Sequence, residues 1–475
     1  MKRSQFLQLF FPFGFYLLGC FGAYVLAPES GDWRIPLFYT NGIIASILAW
    51  KLGAWSSRIS RFISFGALLL LVLAANHVLY LFDFLVNGSQ ANLWPFYSTT
   101  RERSLLIGEM MTVLGTFITV FVWRRFGGLK STPEDLLRCD GDQLKLLFVV
   151  FSFSSLAMLV ALFFPRVSSA LGQFIPSALG AGLACCYLIP AASLRSGSLR
   201  LLVAIIMSLP FIAISLGEGM KENIIVALLP VGIAAWQCFR TVAMRAILII
   251  AAVVVLGSVT SYVNFYRDNY WRTNEKVATI DAISAFVDSG KMSTDVGSKS
   301  GVELFLERAN ASWYHGWAVS VADEWQYYPD LALSPMLSVF VPRVFWPDKP
   351  RYIQGAEYTA LVNGQMTVHE GGSSTAVGFY PGLYLGGGFA AFLLGAVGVG
   401  ALLAFAARFV WYIGSRPSAV LYVFAMLPFI VRMSEAWPVD GLVLPIASAF
   451  YVLLMVFVAR AFFFVMPRFT RSDRD

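Results

Sequence analysis

Between residues 6 and 463 the chain is a succession of about twelve apolar runs, at roughly 6–26, 37–55, 62–86, 105–123, 146–164, 175–193, 201–216, 224–238, 246–264, 382–412, 419–434 and 442–463. A helix needs about 20 apolar residues to cross ~30 Å of hydrocarbon, so each run reads as a membrane span. Nothing constrains the fold more strongly, because a chain in lipid must satisfy its backbone N–H and C=O groups within its own helices. Composition agrees, with 58% of residues hydrophobic and only 13% charged, against about 25% charged in soluble domains. The expected fold is an all-α polytopic membrane protein, one integral domain over residues 1–475.

The first run follows Met-Lys-Arg-Ser-Gln, is too long for a signal-peptide core and lacks a small-residue cleavage site, so it is read as an uncleaved first helix. Counting from inside, alternate segments carry Lys2 and Arg3, then Lys51, Arg58 and Arg61, then Arg124, Arg125, Lys130, Arg138 and Lys145. The pattern continues with Arg195 and Arg200, Arg240 and Arg245, Arg408 and Arg416, and Arg468, Arg471 and Arg474. Basic inward segments mark the cytoplasmic side, which puts both termini there. The short seventh and eighth runs also fit a re-entrant pair. The net charge of +7 is thereby a topological signal rather than a nucleic-acid surface.

One long interruption, about 265–377, falls between the ninth and tenth runs and is extracytoplasmic on this count. Inside it, Val277, Ile280, Ile283, Phe286 and Val287 recur at helical spacing, and a second helical stretch runs from about Val302 to Trp325. Between them Asp295-Val-Gly-Ser-Lys-Ser-Gly301 reads as a flexible turn. Trp271, Trp313, Trp317, Trp325 and Trp346 suit short amphipathic helices lying at the head-group level of the membrane surface.

Several chemistries are disfavoured. The cytoplasmic segment 124–145 is too short for a nucleotide-binding domain, and no Gly-rich phosphate loop is present. Cys20, Cys139, Cys185, Cys186 and Cys238 all avoid the long loop, and His77, His315 and His369 are the only histidines. Neither a disulfide framework nor a metal centre is expected, and no cofactor. The first outer segment separates Glu29 from Asp32, unlike the acidic pair of metal-dependent lipid-linked sugar transferases, and no hydrolase elbow or zinc-protease helix occurs.

The candidate chemistry lies in the loop. In Phe340-Val-Pro-Arg-Val-Phe-Trp-Pro-Asp-Lys-Pro350, followed by Arg351, prolines restrict the backbone around Arg343 and Lys349, which can grip a phosphorylated head group. A basic stretch that merely touches anionic lipid explains the same residues. Arg267 and Arg272, at the exit of the ninth run, are further phosphate ligands or else anchors paired with Asp268. Arg308 on the second helical stretch joins this group. Lys221, in the turn Gly217-Glu-Gly-Met-Lys-Glu-Asn223, is either an anion ligand or the partner of Glu218. His369 and Glu370 are candidate bases, or plain surface, with His315 and Glu324 as rivals. Arg432 is expected to pair with Glu435 beside the same cavity.

The span layout, the late extracytoplasmic loop, the Pro342-Arg343-x-x-Trp346-Pro347-x-Lys349-Pro350 run and the Gly-rich return Tyr380-Pro-Gly-Leu-Tyr-Leu-Gly-Gly-Gly388 together resemble the Wzy-type O-antigen polymerases of bacteria. That resemblance implies a metal-independent glycosyltransferase of the GT-C type in the inner membrane. It would move a growing glycan from undecaprenyl diphosphate to an incoming lipid-linked repeat unit on the periplasmic face, with a chain-length regulator and a flippase as partners. Arg343 and Lys349 match the motif as diphosphate ligands, and Lys221 stands where related enzymes place an arginine. Two other readings stay open. An O-antigen ligase would use a loop histidine, His315 or His369, as base, and a lipid-linked oligosaccharide flippase would be a transporter.

Overall fold

The computed structural model describes residues 3–26, 34–52, 64–87, 101–127, 141–163, 175–194, 196–218, 221–239, 241–266, 269–270, 279–289, 306, 310–324, 326–335, 346, 354–362, 377–414 and 416–469. Among them no strand occurs. Among the described residues, nine helices precede the long loop: α1 (Arg3–Leu26), α2 (Arg34–Leu52), α3 (Phe65–Asn87), α4 (Arg101–Gly127), α5 (Gly141–Phe163), α6 (Ile175–Ser193), α7 (Gly197–Glu218), α8 (Lys221–Cys238) and α9 (Val242–Tyr266). The loop contributes α10 (Thr279–Asp288), α11 (Ser312–Glu324), α12 (Pro329–Ala332) and α13 (Gln354–Val362). The chain then runs through α14 (Phe379–Ile413), α15 (Arg416–Ala425), α16 (Leu427–Arg432) and α17 (Asp440–Phe469).

Among the described residues, eight helices are long and apolar enough to cross a membrane, and four shorter apolar ones cover 11–23, 144–160, 223–238 and 418–432. Their exteriors are apolar, as a lipid-facing surface requires: Leu394 is 75% exposed and Ile250 63%.

The chain divides into two compact units. The first holds Met1–Leu129, Leu306–Ala406 and Phe429–Pro445, and the second Lys130–Phe305, Ala407–Pro428 and Ile446–Asp475. In the second unit, α6 is almost wholly buried because it is built of small residues, and a methyl on Gly180 would stand 2.6 Å from the Phe424 carbonyl oxygen. Hydroxyl pairs tie this unit internally, Ser177 to Ser448 at 2.9 Å and Ser154 to Tyr451 at 2.8 Å. The helix α10 lies where the Val277–Val287 spacing puts one, and it seats Ala282 and Phe286 on Ile224, Tyr262 and Val263.

In the first unit, α2 packs along α1 and α3, and α11 along α4. The second loop helix therefore departs from the expected surface position. It is shorter than the 302–325 stretch, and Ser312 and residues 315–322 are buried. Trp317, expected at the head-group level, is only 8% exposed and packs with Val321, Tyr358, Val377, Leu385 and Trp437. Trp346 is exposed.

The physical reason is a pair of glycines. A methyl on Gly108 would stand 2.6 Å from the His315 carbonyl carbon, and one on Gly316 would stand 2.9 Å from Leu105 Cα. Without side chains at the crossing, the two backbones touch, and the apolar face of α11 exchanges lipid or water for protein.

The Gly-rich stretch before residue 388 forms a kink inside α14. Gly388 has φ of 66°, a conformation only glycine adopts freely, and Gly386 and Gly388 make room for Leu333 and Tyr327 of the loop. The Tyr328 N–H donates to the Leu385 carbonyl at 2.8 Å, Gln354 Nε2 donates to the Leu331 carbonyl at 2.7 Å, and the Tyr384 hydroxyl donates to Asp323 at 2.5 Å. These bonds fix α12 and α13 against the start of α14.

Candidate functional site

Within the first unit, α3, α4 and α11 bring three ionisable groups together out of reach of solvent. His77 is 1% exposed, Glu109 1% and His315 0%. His315 Nδ1 lies 2.5 Å from Glu109 Oε1, and His77 Nε2 lies 3.3 Å from Glu109 Oε2, so one carboxylate is bracketed by two imidazoles. Each ring is held from its far side. His77 Nδ1 is 2.8 Å from the Leu73 carbonyl, one turn back on α3, and His315 Nε2 is 2.7 Å from the Ser434 carbonyl in the turn after α16.

Space for the rings comes from glycines again. A methyl on Gly42 of α2 would stand 2.7 Å from His77 Nε2, and one on Gly378 would stand 2.6 Å from His315 Nε2. Gly378 also has φ of 84°, so a side chain there would be strained as well as crowded. Tyr39 and Tyr80 complete the wall, their rings 6.2 Å and 5.7 Å from the His77 ring and 5.6 Å from each other. Thr112, one turn beyond Gly108 on α4, donates to the Gly108 carbonyl at 3.0 Å and reaches within 3.4 Å of His315 Nδ1.

A second polar chain fixes the start of α11. The Asn310 side-chain oxygen accepts the Ser312 N–H at 3.2 Å, as a helix cap does, and also accepts the Ser312 hydroxyl. The Tyr39 hydroxyl lies 2.7 Å from Ser312 Oγ and donates to it, since the Ser312 proton is already committed. Asn310 Nδ2 donates at 2.7 Å to Asp83, a carboxylate that is 1% exposed. Helix α11 is thus tied to α2 and α3 at its first turn and to α4 one turn later, which sets the position of His315.

Ionisable side chains inside apolar helices are costly and persist where they pair, line a cavity or react. Chemically, this arrangement offers a carboxylate and imidazole pair able to accept and hold a proton. Among the described residues no group of three or more His, Cys, Asp and Glu has the geometry to hold a metal ion.

Of the residues expected from sequence, His315 is in this cluster. Glu324 closes α11 and accepts the Ser320 hydroxyl at 2.7 Å. Arg432 ends α16, where its carbonyl accepts the Glu435 N–H at 2.6 Å and its charge acts on Asp440. Lys221 opens α8 in the second unit. Arg267, Arg272, Arg308, Arg343, Lys349, Arg351, His369 and Glu370 lie outside the described residues.

Sequence reasoning passed over His77, Asp83, Glu109 and Asn310. The signal was present, since His77 and Asp83 interrupt the third apolar run and Glu109 the fourth, and such interruptions mark functional positions.

The chain belongs to a family described as Domain of unknown function (DUF8712), whose model matches residues 74–361. That stretch contains His77, Asp83, Glu109, Asn310, Ser312 and His315. No curated protein and no solved structure matches the chain.

Proposed function

We propose that this member of the family is a membrane-embedded glycosyltransferase acting on lipid-linked oligosaccharide, with polymerisation of repeat units as its reaction. In this reading the four shorter apolar helices complete a set of twelve spans, the termini are cytoplasmic, and the region between α9 and α14 faces the periplasm of a bacterial inner membrane. His77 and Glu109 then sit roughly 15 and 12 Å along their helices from the ends that face that region, at 1.5 Å per residue.

The single observation that carries the reading is the contact of His315 Nδ1 with Glu109 Oε1 at 2.5 Å. A carboxylate on one ring nitrogen orients an imidazole and supports the positive charge it gains when the other nitrogen takes a proton. The Ser434 carbonyl, 2.7 Å from Nε2, marks where an acceptor sugar hydroxyl would bind once Nε2 is unprotonated. The hydroxyl oxygen then attacks the anomeric carbon of the donor, its proton passes to Nε2, and the bond from sugar to diphosphate breaks. The released diphosphate needs fixed cations, and Arg343 and Lys349, with Arg351, Arg267, Arg272, Arg308, Lys221 and Arg432, are the proposed sources. No metal enters this scheme.

A second reading, ligation of finished polymer to another acceptor, is favoured by the placement of its base on a loop helix. Transport of the lipid-linked unit is favoured by ionisable groups inside two apolar helices. One experiment separates the three. Deletion of the gene, followed by gel analysis of surface polysaccharide, should leave single repeat units without long chains. Intact polymer held on its lipid carrier would replace polymerase by ligase, and repeat units trapped on the cytoplasmic leaflet would replace it by flippase. Complementation with Glu109→Gln, His315→Ala or Arg343→Ala should fail to restore polymer while each protein remains in the membrane. Wild-type chains from Glu109→Gln would remove the proposed base.

A further inference from the structure

The cluster on α3, α4 and α11 has a countable number of protons. His77 Nδ1 and His315 Nε2 each face a backbone carbonyl, at 2.8 and 2.7 Å. A carbonyl oxygen only accepts, so both of these nitrogens carry hydrogen. The remaining nitrogens face the two oxygens of Glu109, and the two gaps differ. At 2.5 Å, the contact of His315 Nδ1 with Oε1 must contain a proton, because two bare lone pairs repel at that distance. At 3.3 Å, the contact of His77 Nε2 with Oε2 is longer, and Oε2 accepts no hydrogen bond. One gap is filled and the other is open.

Net charge agrees with this count. One proton gives a Glu109 carboxylate, a His315 imidazolium and a neutral His77, which sum to zero. A second proton would leave the buried cluster at plus one, and none would leave it at minus one, each unfavourable away from water.

We propose that His77, Glu109 and His315 form a binding site for one exchangeable proton, which rests between His315 and Glu109 and which Glu109 delivers to His77. The N–H bond at His315 Nδ1 breaks as an O–H bond forms at Oε1. A half-turn of the carboxyl group, whose terminal torsion is broad and two-fold, presents that O–H to His77 Nε2. There the N–H bond forms, leaving His315 neutral and His77 the cation.

Other groups lie at both ends of the cluster. Tyr39 and Tyr80 flank His77, Thr112 approaches His315, and Asp83 is engaged by Asn310. The Glu109 charge reaches Tyr16, Tyr39 and Tyr80, and the Glu435 charge reaches Tyr80. The shift takes the Nδ1 proton and leaves His315 Nε2 protonated against the Ser434 carbonyl, so it is a step separate from the proton uptake at Nε2 in the transferase reading. The proton site itself rests on geometry alone and stands or falls independently of that reading.

With only three histidines in the chain, protein carrying ¹⁵N-labelled histidine in lipid bilayers gives three imidazoles to resolve by solid-state NMR, assigned with His77→Gln, His315→Gln and His369→Gln. At pH 7 the expected spectrum has His315 protonated on both nitrogens and His77 on Nδ1 alone. In Glu109→Gln, His315 should become singly protonated. In His315→Gln, His77 should take the proton and become doubly protonated. Should that variant not fold, two-site exchange between the His315 and His77 signals of the wild type, appearing on warming, tests the same transfer.

A singly protonated His315 in the wild type, two imidazolium rings at pH 7, or a His315 spectrum unchanged by Glu109→Gln would overturn the one-proton site. A His77 that stays singly protonated in folded His315→Gln, or wild-type signals that never exchange, would overturn the transfer.

Discussion

Replacing Gly108 by alanine probes the site without removing any polar group from it. The added methyl would stand 2.6 Å from the His315 carbonyl carbon and 2.7 Å from its oxygen, both backbone atoms that cannot rotate aside. Ordinary carbon contacts lie at about 3.5–4.0 Å, so α11 must retreat from α4 by roughly 1 Å. Carried along, His315 Nδ1 would move from 2.5 Å to about 3.5 Å from Glu109 Oε1, the limit at which a hydrogen bond is lost. Overpacking costs ~1–3 kcal/mol and loss of a charge-assisted hydrogen bond ~1.5–3 kcal/mol, which together give about 2.5–6 kcal/mol of destabilisation.

Gly14 and Gly22 of α1 provide the control, since a methyl on either meets nothing within 4 Å. There alanine should be neutral, or stabilising by up to ~1 kcal/mol through helix propensity. Unfolding of the purified variants in detergent, followed by tryptophan fluorescence, measures the difference. Gly316→Ala, 2.9 Å from Leu105 Cα, should fall with Gly108→Ala. If Gly108→Ala unfolds with Gly14→Ala and Gly22→Ala, the contact of α4 with α11 is not what holds His315.

Two further outcomes test other parts of the fold. Asn310→Asp places a second carboxylate against buried Asp83 and should cost roughly 3–5 kcal/mol, as breaking a buried polar pair does. Adding Asp83→Asn restores a donor and an acceptor and should recover most of that loss, and a double variant no more stable than Asn310→Asp would show that the two side chains do not act as a pair. On α13, partial burial raises the Glu357 carboxyl above its ordinary value of 4.5, so the folded chain favours the neutral acid. Its contribution is complete below pH 4.5 and is lost as the pH rises through the folded value. Glu357→Gln should therefore match the wild type in thermal unfolding near pH 4 and exceed it at pH 7, and an equal difference at both values would contradict the assignment.

The helices were legible because the apolar runs are long, and each run overlaps at least one helix among the described residues. The site was not, and Gly108, Gly316 and His315 show why. Hydropathy reports how much of a segment is apolar, whereas the burial of α11 depends on which residues face one another across 200 positions of sequence. Two glycines in unrelated segments carry no signal until their backbones are known to touch. Trp317 illustrates the consequence, since a tryptophan in a semi-polar helix suits a membrane surface and a protein core equally well. His77, Asp83 and Glu109 were visible as interruptions of apolar runs, but their grouping with Asn310 and His315 is a tertiary fact.

Asp83 and Glu109, both buried in this unit, do different work, and their partners distinguish them. Asp83 accepts from Asn310, whose oxygen in turn caps α11 and receives the Ser312 proton, so this chain of bonds fixes the first turn of a helix. Removing it should move α11. Glu109 fixes no backbone: Oε1 faces one imidazole, and Oε2 accepts no hydrogen bond although a second imidazole nitrogen lies 3.3 Å away. A purely structural carboxylate in so dry a place would be disfavoured with an oxygen left open, because desolvation is then uncompensated. An acceptor held one proton short of complete pairing is what the proposed proton transfer requires of Glu109 and its two histidines, whereas the bonds of Asp83 serve the start of α11.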